Sequence, residues 1–439
     1  MYKKHLCLAL AMLSTLVGFS QAKKIDFVEY DLPNGLHVIL HEDHSTPVVA
    51  ITMLYHVGSK NEDPNRTGMA HFFEHLLFEG SENIGRGEFD KYIENAGGVL
   101  NANTTQDRTF YYEVLPSNQL ELGLWLESER LMHAKVENVG IETQREVVKE
   151  ERRQRMDNTP YGSILEETFK RAYKVHPYKW SVIGSMDHLN AASDQEFMDF
   201  YKTFYVPNNA VLSIAGDINI PETKKLIAKY FGEIKKGTKT IPFPEANEPA
   251  QTTEIRDTVF DNIQLPAVIQ AYHSPAQGTA DAYAMEMLST LLSSGQSSRL
   301  YKRLVDKEQL ALQTGVFPLG LEHPGLTLSF AICNSGVDPM AAEKVIDEEI
   351  KKLQSELISD EELNKVKNQI EAQFVAGNSR VVGVAESLAN YHTYYGDANL
   401  INTELQRYLK VSKEDIRNVA KKYLTPKNRV VLYYLPKAN

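Results

Sequence analysis

The hydrophobic pattern opens with two strand-like runs, Leu36-His37-Val38-Ile39-Leu40 and Val48-Val49-Ala50-Ile51-Thr52-Met53-Leu54. A third run of the same kind, Ala267-Val268-Ile269-Gln270-Ala271-Tyr272, opens the later part of the chain. Short apolar runs rich in β-branched residues predict buried strands. Each is followed by stretches with helical spacing, among them Thr67 to Gly80, Ala341 to Glu356 and Ser359 to about Phe374. Mixed strand pairs and helical blocks predict an α+β protein.

The pattern also repeats. Ser193 and Ser412, Pro207 and Pro426, and Asn209 and Asn428 are three pairs with one common offset of 219 positions. Each serine has an acid three residues on, Glu196 or Asp415, the spacing of a capping box at a helix start. Each helix then runs into a Pro-x-Asn turn and a β-branched segment. A shared offset across three features points to duplication. The expectation is two homologous domains, 23–234 and 257–439, each a mostly antiparallel sheet with helices packed on one face. Residues 235–256, with Pro242, Pro244 and Pro249 and little periodicity, read as a linker.

The N-terminus has a different character. Lys3 and Lys4 precede an apolar run from Leu6 to about Phe19, followed by Ser20-Gln21-Ala22. That order predicts a signal peptide over residues 1–22; an uncleaved anchor is the alternative. The run is shorter than the roughly 20 residues a spanning helix needs. With 42% hydrophobic and 24% charged residues over 439 positions, the remainder has the balance of a globular protein of two domains, with no stable membrane span. Removal of residues 1–22 changes the net charge from −11 to −13, which argues against a nucleic-acid partner. Only Cys7 and Cys333 occur, so cleavage leaves no internal disulfide and no cysteine-rich metal cluster. An export signal without disulfides predicts secretion, in particular to a bacterial periplasm.

The candidate chemistry lies in His71-Phe72-Phe73-Glu74-His75. Histidines four apart leave one face of a helix and can share a metal ion, and Glu74 lies near that face. Two imidazoles and an open position suit zinc. A chance match in a chain of this length has a probability on the order of a few per cent, so a third ligand is needed. The charged segment Gln144 to Arg155 is mostly a solvated helix face. Glu151, four residues after Val147 and three after Val148, falls at its apolar edge, where a carboxylate needs a partner. Glu150 competes with it on pattern alone.

The motif His71 to His75, followed 76 residues later by Glu151 within Val-Val-Lys-Glu-Glu-Arg, resembles the inverzincin peptidases, the family of pitrilysin, insulin-degrading enzyme and the mitochondrial processing peptidase. The resemblance spans nearly the whole chain after the signal, and its short two-domain length resembles the processing-peptidase branch and its bacterial relatives. It implies one zinc ion per chain held by His71, His75 and Glu151, with Glu74 as general base in a catalytic domain at 23–234. It also implies that Gly97 to Thr104, which reads as a strand, is an exposed edge whose Asn101, Ala102 and Asn103 pair with an extended peptide. Family members often carry a further acid seven residues before the distal ligand, where this chain has Gln144.

The second half departs from the ligand set. Aligning Leu291-Leu292-Ser293-Ser294-Gly295 with Leu76 to Gly80 puts Glu286, Ser289 and Thr290 where His71, Glu74 and His75 stand. Active relatives also use an arginine and a tyrosine seven residues apart to hold the substrate; Val305 and Leu312 occupy those positions here, with Arg303 out of register. The resemblance therefore implies a zinc-dependent endopeptidase acting on extended or unfolded peptides in a clam-shell chamber, as the catalytic subunit of a heterodimer. Its companion family subunit would supply the Arg/Tyr pair. The alternatives are a self-sufficient homodimer or monomer using Arg303, and a non-catalytic assembly subunit. No G-x-S-x-G stands in favour of a serine hydrolase.

Overall fold

The computed structural model describes residues 24–244 and 247–437; the expected signal peptide lies outside the described residues. Six strands build the first sheet: β1 (Val28–Asp31), β2 (His37–Glu42), β3 (Val48–Tyr55), β4 (Val99–Thr104), β5 (Thr109–Pro116) and β6 (Ala210–Gly216). Their order is β1-β2-β6-β3-β5-β4. Five more build the second: β7 (Ile255–Asp261), β8 (Ala267–His273), β9 (Ala311–Leu319), β10 (Leu326–Cys333) and β11 (Arg429–Pro436), in the order β7-β11-β8-β10-β9. Dropping β1 makes the two orders equivalent. Each sheet has one parallel pair, β2 with β6 and β7 with β11, and is otherwise antiparallel. This is the α+β architecture of two like sheets with helices.

The repeat extends to single hydrogen bonds. Ser193 and Ser412 each cap a helix in a capping box with Glu196 and Asp415. Asn209 Nδ2 then donates to the carbonyls of Phe204 and His56, and Asn428 Nδ2 to those of Tyr423 and His273. In both halves one asparagine ties the end of a helix to the neighbouring central strand, which fixes the entry into β6 and β11. Strand β7 starts at Ile255, so the last two residues of the expected linker belong to the second sheet.

Each sheet carries its own helices on one face. On β3, Val49, Ile51 and Met53 pack with Phe72, Phe73 and Phe197 of that layer. The other face is covered by exchange. Ala50 and Leu54 of β3, with Ile39, Val211 and Ala215, pack on Val384, Ala385, Leu388 and Ala389 of the helix Val381–Tyr395, which comes from the second half. In return, Phe169 and Ala172 of the helix Ile164–Ala172 pack on Ile269, Ala271, Val430 and Leu432 of the second sheet. Burial on both faces is why β3 and β6 read as continuous apolar runs instead of alternating ones.

The halves are also joined by charge. Lys60, fully buried, pairs with Asp107 at 2.9 Å and with Glu322 of the second half. His56 Nε2 lies 2.8 Å from the same Glu322 carboxylate. Burial opposes the Glu322 charge, but the His56 hydrogen bond and the Lys60 charge bring its pKa down to about 2.

Candidate active site

The helix Met69–Leu76 follows β3 and is only eight residues long. At its start, Gly68 has φ +95°, and a Cβ there would lie 2.8 Å from the carbonyl oxygen of Ile183. The facing Gly184 (φ +75°) brings its backbone against Thr67 and Gly68 just as closely. Glycine is what permits both conformations and this approach. Two of the free amides at the helix start, Gly68 N and Ala70 N, donate to the carboxyl oxygens of Glu62 at 2.9 and 2.8 Å, and burial raises the pKa of this carboxyl to about 8. The pattern Thr67 to Gly80 is shorter as helix than expected: Leu77 is already the C-cap, and Gly80 (φ +123°) ends the turn after it.

That anchoring presents His71 and His75 on one face. Their rings lie 4.8 Å apart at 72°. The distal acid comes from the helix Asn138–Arg152, packed on the first through the buried Ile141 and Val148. Val147 is 43% exposed, so the apolar edge that orients Glu151 runs through Val148 alone. Glu151 Oε2 lies 3.1 Å from His75 Nε2 and 3.5 Å from His71 Nε2. Glu150 points away, holding Arg153 and Gln154 on the solvent face at 3.0 Å each.

The donor set can be tested for zinc. Ligands at about 2.0–2.1 Å from a tetrahedral ion stand about 3.3 Å from one another. The two observed separations bracket that value. Burial and the neighbouring His75 push the His71 pKa down to about 4, which keeps its imidazole neutral and able to bind metal at neutral pH. The hydrogen bond with His75 lowers the pKa of Glu151, so it is a carboxylate. Arg155 reaches its other oxygen at 2.7 Å. Two imidazole nitrogens and one carboxylate oxygen therefore fit a zinc ion with a fourth position open.

A second group, Glu29, His37 and His392, also brings three possible donors together. Its imidazoles are stacked, 3.4 Å apart and 11° from parallel. Ring lone pairs lie in the ring planes, and near-parallel planes do not meet at one ion. This group fits a metal less well than the first.

Glu74 sits on the same helix, and its carboxyl interacts with both His75 and Glu151. Burial raises its pKa, and a 2.6 Å hydrogen bond from Thr104 Oγ1 opposes the rise. Thr104 is a site residue that the motifs in the sequence do not mark. The available signal is the alternation of β4, which sets Leu100, Ala102 and Thr104 half-buried on one face and Val99, Asn101 and Asn103 exposed on the other. Among the described residues, strand β4 is the outer edge of the first sheet and pairs only with β5. The Ala102 amide donates to the Asn101 carboxamide at 2.8 Å, so the neighbouring side chain covers an edge donor. Asn103 Oδ1 is held at 3.1 Å by Arg108, which also binds Glu386 of the second half at 2.6 Å.

Gln144 donates its amide to Glu79, just beyond the end of the short helix. In the second half Arg303 is not free: it bonds Glu308 at 2.7 Å, Glu348 at 2.9 Å and Glu349 at 3.2 Å. Leu312, on β9, is 64% exposed.

Comparison with known proteins identifies the family of the chain. Residues 37–185 match the family description "Insulinase (Peptidase family M16)", and residues 191–370 match "Peptidase M16 inactive domain". The zinc protease PqqE of Helicobacter pylori is 33% identical over 92% of each chain. A probable mitochondrial-processing peptidase subunit beta of Arabidopsis thaliana is 24% identical over 90% of this chain and 76% of its own. The crystal structure of a protease from Helicobacter pylori superposes with a TM-score of 0.90 at 32% identity, covering 94% of this chain and all of that one. The periplasmic protease PqqL of Escherichia coli shares the fold at a TM-score of 0.76 and 19% identity, with 94% of this chain matching 48% of that one. With both halves matched in order, the chain belongs to peptidase family M16, whose relatives include named zinc proteases.

Proposed function

We propose that this chain is a zinc-dependent endopeptidase of extended or unfolded peptides, with one zinc ion held by His71, His75 and Glu151 and with Glu74 as the general base. The observation that carries the reading is the donor triangle of two imidazoles and a carboxylate, with Glu74 and its Thr104 donor beside it. When bound, zinc would polarise the scissile carbonyl and make a water a better nucleophile at neutral pH. Glu74 takes a proton from the attacking water at its carboxylate and returns it to the departing amine. Its burial favours this exchange, because a carboxyl with a raised pKa holds and releases a proton more readily near neutrality. The outer edge of β4, at Asn101, Ala102 and Asn103, would receive the substrate as an added strand once the Asn101 carboxamide releases the Ala102 amide, giving affinity with little demand on sequence.

The decisive experiment replaces Glu74 by Gln. Turnover of an unstructured peptide is expected to fall at least about 100-fold while zinc stays bound. Turnover equal to that of the wild type would remove Glu74 from the mechanism.

Two finer features belong to the same proposal. The basic and apolar N-terminal pattern supports export, with the periplasm as the compartment. The side chains of Val305 and Leu312 have no hydrogen-bond donor, and Arg303 is occupied by three carboxylates, which supports a companion subunit bringing an arginine and a tyrosine. Mixing with a companion family chain that carries this pair is expected to raise cleavage strongly and to give a one-to-one complex by light scattering. Full activity of the isolated chain, unchanged on mixing, would favour the self-sufficient alternative.

A further inference from the structure

The second half keeps a cavity where the first half has its candidate metal site. The helix Ala280–Ser293 follows β8 as the helix Met69–Leu76 follows β3, and the end of β9 lies beside it as the end of β4 lies beside the histidines. Between them is a cavity of about 300 Å³, closed on the other side by the C-terminal part of the helix Val381–Tyr395 and by the helix Leu400–Leu409. That volume is at the lower end of pockets that hold small ligands, about 300–1,000 Å³, and suits one long side chain.

Its walls are rich in acceptors. Glu286, aligned with His71, lines the cavity, and among the described residues its carboxylate has neither a hydrogen-bond donor nor an ion-pair partner. Glu404 accepts from the hydroxyls of Tyr283, at 3.2 Å, and Tyr391. Among the described residues, no lysine, arginine or histidine lines the cavity. Arg407, which is not part of the lining, donates to the Tyr283 hydroxyl at 3.3 Å. Tyr394, Tyr395 and Tyr408 add further aromatic surface.

This composition selects a charge sign. An anion would meet two carboxylates. An apolar ligand would bury Glu286 without a donor, which is costly. A cation satisfies Glu286, and tyrosine faces attract it further. A guanidinium fits better than an ammonium, because its planar array of five N–H donors can serve acceptors on several walls while stacking on a ring.

We propose that this cavity is a binding pocket for the arginine side chain of a peptide, so that the second half selects substrate where the first half carries the metal ligands. The proposal rests on the peptidase reading above for the ligand's being a peptide. Burial raises the Glu286 carboxyl in the empty cavity, and an arriving guanidinium would return it to the charged form.

The test uses the full chain carrying Glu74→Gln, so that peptide is bound without being consumed. Two unstructured peptides are compared by fluorescence anisotropy, one with a single arginine and one with citrulline, its neutral isostere, in the same place. The arginine peptide is expected to bind at least about tenfold more tightly. Adding Glu286→Gln, or separately Glu404→Gln, should bring the arginine peptide down to the affinity of the citrulline peptide, which itself stays unchanged. Equal affinity for the two peptides, or a preference that survives Glu286→Gln, would overturn the proposal. The peptide comparison is made on an unaltered second half, so it remains decisive even if a pocket variant fails to fold. Failure of the wild-type chain to cleave either peptide, both alone and mixed with the companion subunit, would count against the peptidase reading alone, since the binding difference is measured without cleavage.

Discussion

In the first half, the helix after β3 is eight residues long, bracketed by Gly68 and Gly80, and carries His71, Glu74 and His75. In the second half, the helix after β8 is fourteen residues long and carries Glu286, Ser289 and Thr290 in the aligned places. Ser289 is buried and spends its hydroxyl on the Met285 carbonyl inside its own helix. The strands, caps and Pro-x-Asn turns around the two helices are nearly interchangeable, so the scaffold alone does not decide the chemistry. What decides it is the donor set, together with a second helix that brings Glu151 to two imidazoles. The second half also has helices near its cavity, but they bring tyrosines and carboxylates. One architecture thus supports a site suited to a metal ion and a site suited to an organic cation.

The comparison breaks most sharply if the first-half donors are not metal ligands. His75→Ala and Glu151→Ala are each expected to lose most of the bound zinc and to reduce peptide cleavage to the level of chelator-treated protein. Full zinc occupancy in both variants would show that the resemblance between the halves runs deeper than their side chains suggest. Glu286→Gln, by contrast, should leave zinc content unchanged.

The asymmetry between the halves was largely legible in the sequence. The H-x-x-E-H spacing puts two imidazoles on one helical face, and the 219-residue offset of Ser193, Pro207 and Asn209 marks the repeated scaffold. Choosing Glu151 over Glu150 was beyond the helical pattern, because adjacent residues differ by only about 100° around the axis and Val147, one of the two apolar marks, is itself exposed. The helix exchange was not legible either. Val384, Ala385, Leu388 and Ala389 show an apolar helix stripe, but a stripe does not say which sheet it covers. Thr104 needed both the edge placement of β4 and the position of Glu74, which come from distant parts of the chain.

A smaller effect sharpens the role of that edge. Thr104→Val removes the donor that holds the Glu74 pKa down. Activity should drop by about tenfold or less. The acid limb of kcat/KM should move to higher pH, because Glu74 must lose its proton to act as base. A lower rate with an unmoved limb would make Thr104 a purely structural residue.

The smallest expected effect concerns the contact between the halves. The folded-state pKa of Glu322, about 2, lies below that of a free glutamate. The stability it contributes is therefore present above the unfolded-state value and is lost as pH falls toward 2. Wild type should melt higher than Glu322→Gln at neutral pH, and the gap should close on acidification through that window. A gap that stays constant would mean that His56 and Lys60 do not hold the carboxylate charged.

The central claim is that one zinc ion is held by His71, His75 and Glu151, and anomalous diffraction at the zinc edge tests it most directly. A crystal of purified protein should show one strong peak per chain, about 2.0–2.2 Å from His71 Nε2, His75 Nε2 and a Glu151 carboxylate oxygen. A zinc-replete crystal with no peak there, or with its peak beside Glu29, His37 and His392, would contradict the account.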